Sequence, residues 1–142
     1  MPTTFRHDIS AGIVSVLNTF IAAHPTLLLR AYGAQPPGFP DLPAAYVDTT
    51  PEAIHHDSGT RTRLMSPSVV VCWRITDNEE TMDRIDLLVD LLVDAFTASP
   101  QFVLGTIWSD MTIADEDAPF GNYDLAGVRF TFQNITIQEG RV

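Results

Sequence analysis

The chain has 142 residues, 18 acidic against 8 basic side chains, a net charge of −10 and one cysteine. That length suits a single domain over residues 1–142 with its own core, and 45% apolar residues is too many for a disordered chain. The acidity argues against tight binding of free DNA or anionic membranes, and a lone Cys72 excludes an internal disulfide. All the basic residues are Arg. The opening MPTTFRHDIS has no basic-then-apolar leader pattern, and no apolar run approaches the roughly 20 residues that span a bilayer. The expectation is no membrane segment and assembly in the cytoplasm.

The first predicted element is a helix over about Arg6–Ala23. Ile9, Ile13, Val14, Val16, Leu17, Phe20 and Ile21 share one side of its wheel, with Gly12, Ser15, Asn18 and Thr19 opposite. Thr4 is the expected N-cap, Asp8 suits the positive end of the dipole, and Pro25 ends the helix. Leu27–Tyr32 reads as a short strand. Gly33–Pro43 holds four prolines and reads as a stiff loop. A second short strand follows at Ala45–Asp48, then a polar segment, Thr49–Arg61, as a long loop or hairpin tip. The predicted protrusion covers about residues 49–63.

Leu64–Thr76 is the strongest predicted strand. Val69, Val71, Trp73 and Ile75 alternate onto a core face, opposite Ser68, Val70, Cys72 and Arg74. A long helix follows from about Asn78 to Ser99, with Asp77 and Glu80 spaced as a capping box. Thr106–Ala114 reads as a strand with Trp108 near its start, and Asp115–Gly121 as an acidic turn. Leu125–Gln138 reads as a final long strand. Val128, Phe130 and Phe132 face the core, and Ile135 and Ile137 fall out of phase, so a bulge is expected near Gln133–Asn134. The order α-β-β-β-α-β-β predicts an α+β two-layer domain. Its sheet is mixed or mostly antiparallel with four to five strands, and two helices pack on one face. Arg74, Arg129, Thr131 and Gln133 are left to meet water or a partner.

Asp83, Asp86, Asp90 and Asp94 recur at spacings of three and four, an arc of about 80° on the helix. Adjacent turns of one helix aim carboxylates outward, whereas a cation cage needs ligands converging from several elements. The stripe therefore reads as a solvated acidic face. Beside it, Ile85, Leu88, Leu92 and Phe96 form the core side, and Leu87, Val89, Leu91, Val93 and Ala95 widen the apolar arc to about 240°. One sheet occupies about 100°, so the surplus must meet the first helix, another chain or both. Leu87, Leu91 and Val93 are the candidate contacts.

His55, His56 and Asp57 form the other polar cluster. Neighbours on an extended segment point to opposite sides, and neither an HExxH helix nor a second His/Cys cluster accompanies them. They read as a loop tip and a candidate contact, along with Arg74 and Arg129. Cys72 sits mid-strand and reads as a small apolar group. No P-loop, G-x-G-x-x-G or G-x-S-x-G occurs. These residues indicate no catalytic group, metal or cofactor.

With the elements placed, the chain resembles the tail terminator, or tail completion, proteins of long-tailed bacteriophages. The resemblance covers nearly the whole chain. It lies in the order of elements and in HDISAGIVSVLN, SPSVVVCWRI and NYDLAGVRFTFQNITIQEG, which are packing patterns without catalytic content. It implies a structural virion protein. Such a protein forms a homo-oligomeric ring, commonly hexameric, on the head-proximal end of the tail tube. It stops tube growth and joins the tail to the head–tail connector protein. Its partners are then further copies of itself, the tail tube protein and the connector, with DNA passing through without specific binding. A tail-tube or other connector subunit is the nearest alternative. A small α+β ligand-binding domain or enzyme is the alternative of another class.

Overall fold

The computed structural model describes residues 5–34, 42–49, 52–57, 59–75, 79–102, 107–117, 125–133 and 135–139. Two nineteen-residue helices are present, α1 (Phe5–Ala23) and α2 (Glu79–Thr97). The strands are β1 (Arg30–Tyr32), β2 (Ala44–Asp48), β3 (Glu52–Asp57), β4 (Thr60–Met65), β5 (Ser68–Arg74), β6 (Asp110–Asp117), β7 (Leu125–Gln133) and β8 (Ile135–Glu139). Five of them form a mixed sheet in the order β1-β2-β5-β7-β6, and three form a second sheet in the order β3-β4-β8. Only the β1–β2 pair in the larger sheet is parallel. The architecture is α+β, as the alternation of strand and helix patterns predicts.

The core lies between the two helices and one face of the larger sheet. Ile9, Ile13, Leu17 and Phe20 from α1 meet Ile85, Leu88, Leu92 and Phe96 from α2 over Val69, Val71, Trp73, Val128, Phe130 and Phe132. Strand alternation selects the sheet residues and the 3.6-residue period selects the helical ones. An aromatic cluster locks the far end. Phe132 stands edge-on to Phe96 at 4.8 Å and to Phe102 at 4.9 Å between ring centres, with Trp108 5.4 Å away. Offset and edge-on pairs of this kind add about 0.5–1.5 kcal/mol each beyond their burial.

The strand predicted over Leu64–Thr76 is two strands in two sheets. Ser66 and Pro67 separate β4 from β5. Pro67 has no N–H to give to a ladder, but its carbonyl accepts from the Phe132 amide at 2.9 Å. The final predicted strand is divided in the same place. Ser68 faces Thr131 and Met65 faces Ile135, so residues 66–67 stand opposite residues 132–134. One extra residue on the second strand is a bulge, at the position where the alternation slips, although Asn134 itself lies outside the described residues. The bulge turns the ribbon out of the larger sheet, and β3 adds to it as a hairpin. The segment read as a loop or hairpin tip at Thr49–Arg61 is therefore mostly strand, with Gly59 at a φ of 85° in the hairpin turn, a conformation glycine adopts without penalty.

Other expectations need correction. The first strand shrinks to Arg30–Tyr32 because residues 25–27 form a turn after α1. Ile75, assigned to the core face, is 53% exposed just past the end of β5. The strand around Trp108 begins at Asp110 and runs to Asp117, so Asp115, Glu116 and Asp117 belong to a strand and not to a turn. Gly12, placed on the outer side of α1, packs against the backbone of Phe102. A Cβ there would collide with the Phe102 carbonyl oxygen and lie 2.8 Å from its carbonyl carbon. The second face of β5 is covered over Ser68, Val70 and Cys72, which are buried, while Arg74 at its end is exposed and Thr131 and Gln133 on β7 are partly exposed. The Thr4 cap and the Asp77–Glu80 capping box fall outside the described side chains.

Candidate functional site

Chemistry-bearing residues gather in three places. The first is a groove of about 570 Å³ between the C-terminal halves of the helices. Val16 and Phe20 of α1 and Leu91 and Ala95 of α2 supply apolar lining, and Ser15, Thr19, His24 and Asp94 supply polar lining. It exists because the helices share the core at Leu17, Phe20, Leu88 and Leu92 while small residues, Ala23, Ala95 and Ala98, line the space between them. Leu91 and Val93 are half-buried, packed against the core. Leu87 is 50% exposed one turn before Leu91, on the same side of the helix. The wide apolar arc is thus largely satisfied within the chain, and Leu87 is what remains of it at the surface. Asp83, Asp86, Asp90 and Asp94 are all exposed, as a solvated stripe requires.

The second place is the β3–β4 hairpin. His55 and His56 are exposed on β3, the edge strand of the smaller sheet. Asp57 ends that strand. Because facing residues share a face, Ile54 stands with Arg63 and His56 with Arg61. The other side of the ladder holds Ala53 with Leu64 and His55 with Thr62. His55 and His56 consequently belong to different faces, as their adjacency predicts. Ile54 is 49% exposed, on a hairpin whose Arg61 and Arg63 are balanced by Glu52 and Asp57.

The third place is the outer face of the larger sheet. Arg129 of β7 forks onto Glu116 of β6, with Nε donating to Oε2 at 2.8 Å and Nη2 to Oε1 at 3.2 Å. Its Nη1 donates to Asp48 Oδ2 of β2 at 3.2 Å and to Ser68 Oγ of β5 at 2.5 Å. One guanidinium therefore ties four strands, and Glu116 with Asp48 holds its pKa above the ordinary arginine value against the opposing effect of burial. Tyr46 lies beside it, its phenol pushed up by burial and pulled down by the Arg129 charge. Arg129, predicted as an outward contact, is engaged inside its own chain. Arg74 is exposed at the end of β5. Glu116, Asp48 and Tyr46 were not singled out by the sequence. The apolar alternation of Met111 and Ile113 stops at the acidic run Asp115–Asp117, so no sequence signal carried the strand on through Glu116.

Cys72 is fully buried, its thiol donates to the Ala44 carbonyl at 3.5 Å, and burial pushes its pKa to about 12. A thiol held protonated in this way is a packing group and a poor nucleophile. Among the described residues no group of three or more His, Cys, Asp or Glu side chains is placed to hold a metal ion, and no helix is long and apolar enough to cross a membrane. The chain matches no protein-family model and no curated protein sequence.

Proposed function

We propose that the chain is a structural subunit of a bacteriophage tail, a terminator that assembles as a ring on the head-proximal end of the tail tube. The ring stops tube growth and presents a surface to the head–tail connector. The resemblance in element order and in the three sequence phrases supports this reading. The observation that carries it is the helix layer, which leaves Leu87 half exposed beside an open apolar groove. Exposed apolar surface next to a groove marks a place for a protein partner. The net charge of −10 suits a conduit through which DNA passes without being gripped.

The test is polymerisation of tail tube protein with and without this chain, followed by electron microscopy and native mass spectrometry. The expected result is shorter tubes capped at one end by a ring of this chain, commonly of six copies. Tubes of unchanged length without bound chain would exclude the reading. Open-ended polymers formed by the chain alone would assign it to the tube itself.

A further inference from the structure

We infer that β6 is a docking edge for a strand of a different protein, one with an apolar residue flanked by basic side chains, and that this strand extends the larger sheet past β6. The inference stands apart from the tail reading and requires neither ring nor tube. β6 closes one side of the larger sheet. The opposite edge, β1, is three residues long. β6 runs for eight residues without a proline, which is one of the devices that block an open edge. The helices are placed over other strands. α1 lies against β1 and β2, and α2 reaches β7, where the Phe96 ring is 5.7 Å from Phe130 and 4.8 Å from Phe132. Thr112, Ile113, Ala114 and Asp115 are all exposed. Ile113 stands across the ladder from buried Phe130 and is still 45% exposed.

The ladder fixes which backbone groups face outward. The Phe132 amide donates to the Pro67 carbonyl, so Phe132 and the alternate residues Phe130 and Val128 turn their backbone groups to β5. Gln133, Thr131 and Arg129 turn theirs to β6, in agreement with the Ser109 amide on the Gln133 carbonyl. Their cross-strand partners Asp110, Thr112 and Ala114 are therefore bonded to β7. Met111, Ile113 and Asp115 direct their N–H and C=O groups to the open side. Charge then selects the partner. Asp110, Asp115, Glu116 and Asp117 are four acids in eight residues, with no basic residue among them, and only Glu116 is engaged by Arg129. A second β6 is a poor occupant. Antiparallel pairing about Ile113 sets Asp110 against Glu116, and parallel pairing in register sets each acid against itself. The edges of the smaller sheet, β3 and β8, hold no Arg, and β1 is too short. The acids thus guard the edge against copies of this chain while attracting a basic strand. An apolar residue of that strand lies against Ile113, and a basic residue two positions away on the same face meets Asp115.

Amide hydrogen exchange followed by NMR tests the edge. The probe is a blocked peptide of alternating threonine and valine with arginine at both ends, at millimolar concentration. In the free chain the Thr112 and Ala114 amides should be protected, and the Met111, Ile113 and Asp115 amides should exchange freely. The peptide should slow those three by about tenfold or more, and the same peptide with glutamate at both ends should not. Asp115→Arg should reverse the preference between the two peptides. Ile113→Pro removes an outward N–H and no bond to β7, so it should keep the fold and lose the arginine peptide. Amides at 111, 113 and 115 that are already protected in the free chain overturn the proposal, as does an arginine peptide that leaves them exchanging freely. Equal protection by both peptides, or an unchanged preference in Asp115→Arg, also overturns it.

Discussion

Arg129 and Glu116 form a two-pronged ion pair across the β7–β6 ladder, at 2.8 and 3.2 Å, and both side chains are only 28% exposed. Forked geometry with partial exclusion of water makes this a stronger contact than a surface salt bridge. Arg129→Met leaves Glu116 and Asp48 half-buried without their cation and should cost about 1–3 kcal/mol. Glu116→Gln, which leaves Asp48 and Ser68 as acceptors, should cost about 1 kcal/mol. Urea denaturation of both singles and the double gives the coupling, expected at about 1–2 kcal/mol. A coupling near zero would mean that solvent screens the pair.

Gly12→Ala tests the crossing of α1 and the segment after α2. In an open helix this change is favourable by about 1 kcal/mol. At position 12 the new methyl meets the Phe102 backbone, which has no flexible end to swing away. The substitution should destabilise by about 1–3 kcal/mol, read as a lower urea midpoint with an unchanged slope.

Leu87 and Leu88 are neighbours with opposite environments, 50% and 0% exposed. Leu88→Ala opens a cavity under α2 and should cost about 2–5 kcal/mol. Leu87→Ala should change monomer stability by less than about 0.5 kcal/mol. Thermal melts of dilute protein separate the two, and equal losses would place Leu87 in the core.

Cys72 sets an alkaline limit. Its thiol titrates near 9 when the chain is unfolded and near 12 when folded, so the unfolded state releases the proton first. Stability is then full below pH 9 and falls as pH rises from 9 towards 12. At pH 10 the loss should be on the order of 1 kcal/mol, and Tyr46, whose phenol burial also raises, adds a loss of the same sign. Cys72→Ala should flatten the slope between pH 8 and 10 in urea denaturation. An unchanged slope would assign it to other groups.

The Asp stripe of α2 should behave as a solvated face. Millimolar Ca²⁺ or Mg²⁺ should leave the melting temperature unchanged relative to EDTA, because Asp83, Asp86, Asp90 and Asp94 all point to solvent from one helix. A rise of several degrees would show that they converge on an ion.

Periodicity by itself determined the helices, the core face of β5 and β7, and the acidic stripe. Each follows from a repeat of 3.6 or 2 residues that local sequence carries in full. The slip in alternation before Ile135 also marked the bulge. What the repeats do not encode is which strand neighbours which. The division of two long apolar runs between two sheets depended on Pro67 meeting Phe132, a contact between residues 65 positions apart. The burial of Gly12, the fork of Arg129 onto Glu116 and the fate of the wide α2 arc are likewise decided by non-local packing. Of that arc, α1 and the core partly cover Leu91, Val93 and Ala95 and leave Leu87 outside. Tertiary structure alone set this division, because the burial of a side chain depends on what the rest of the chain brings to it.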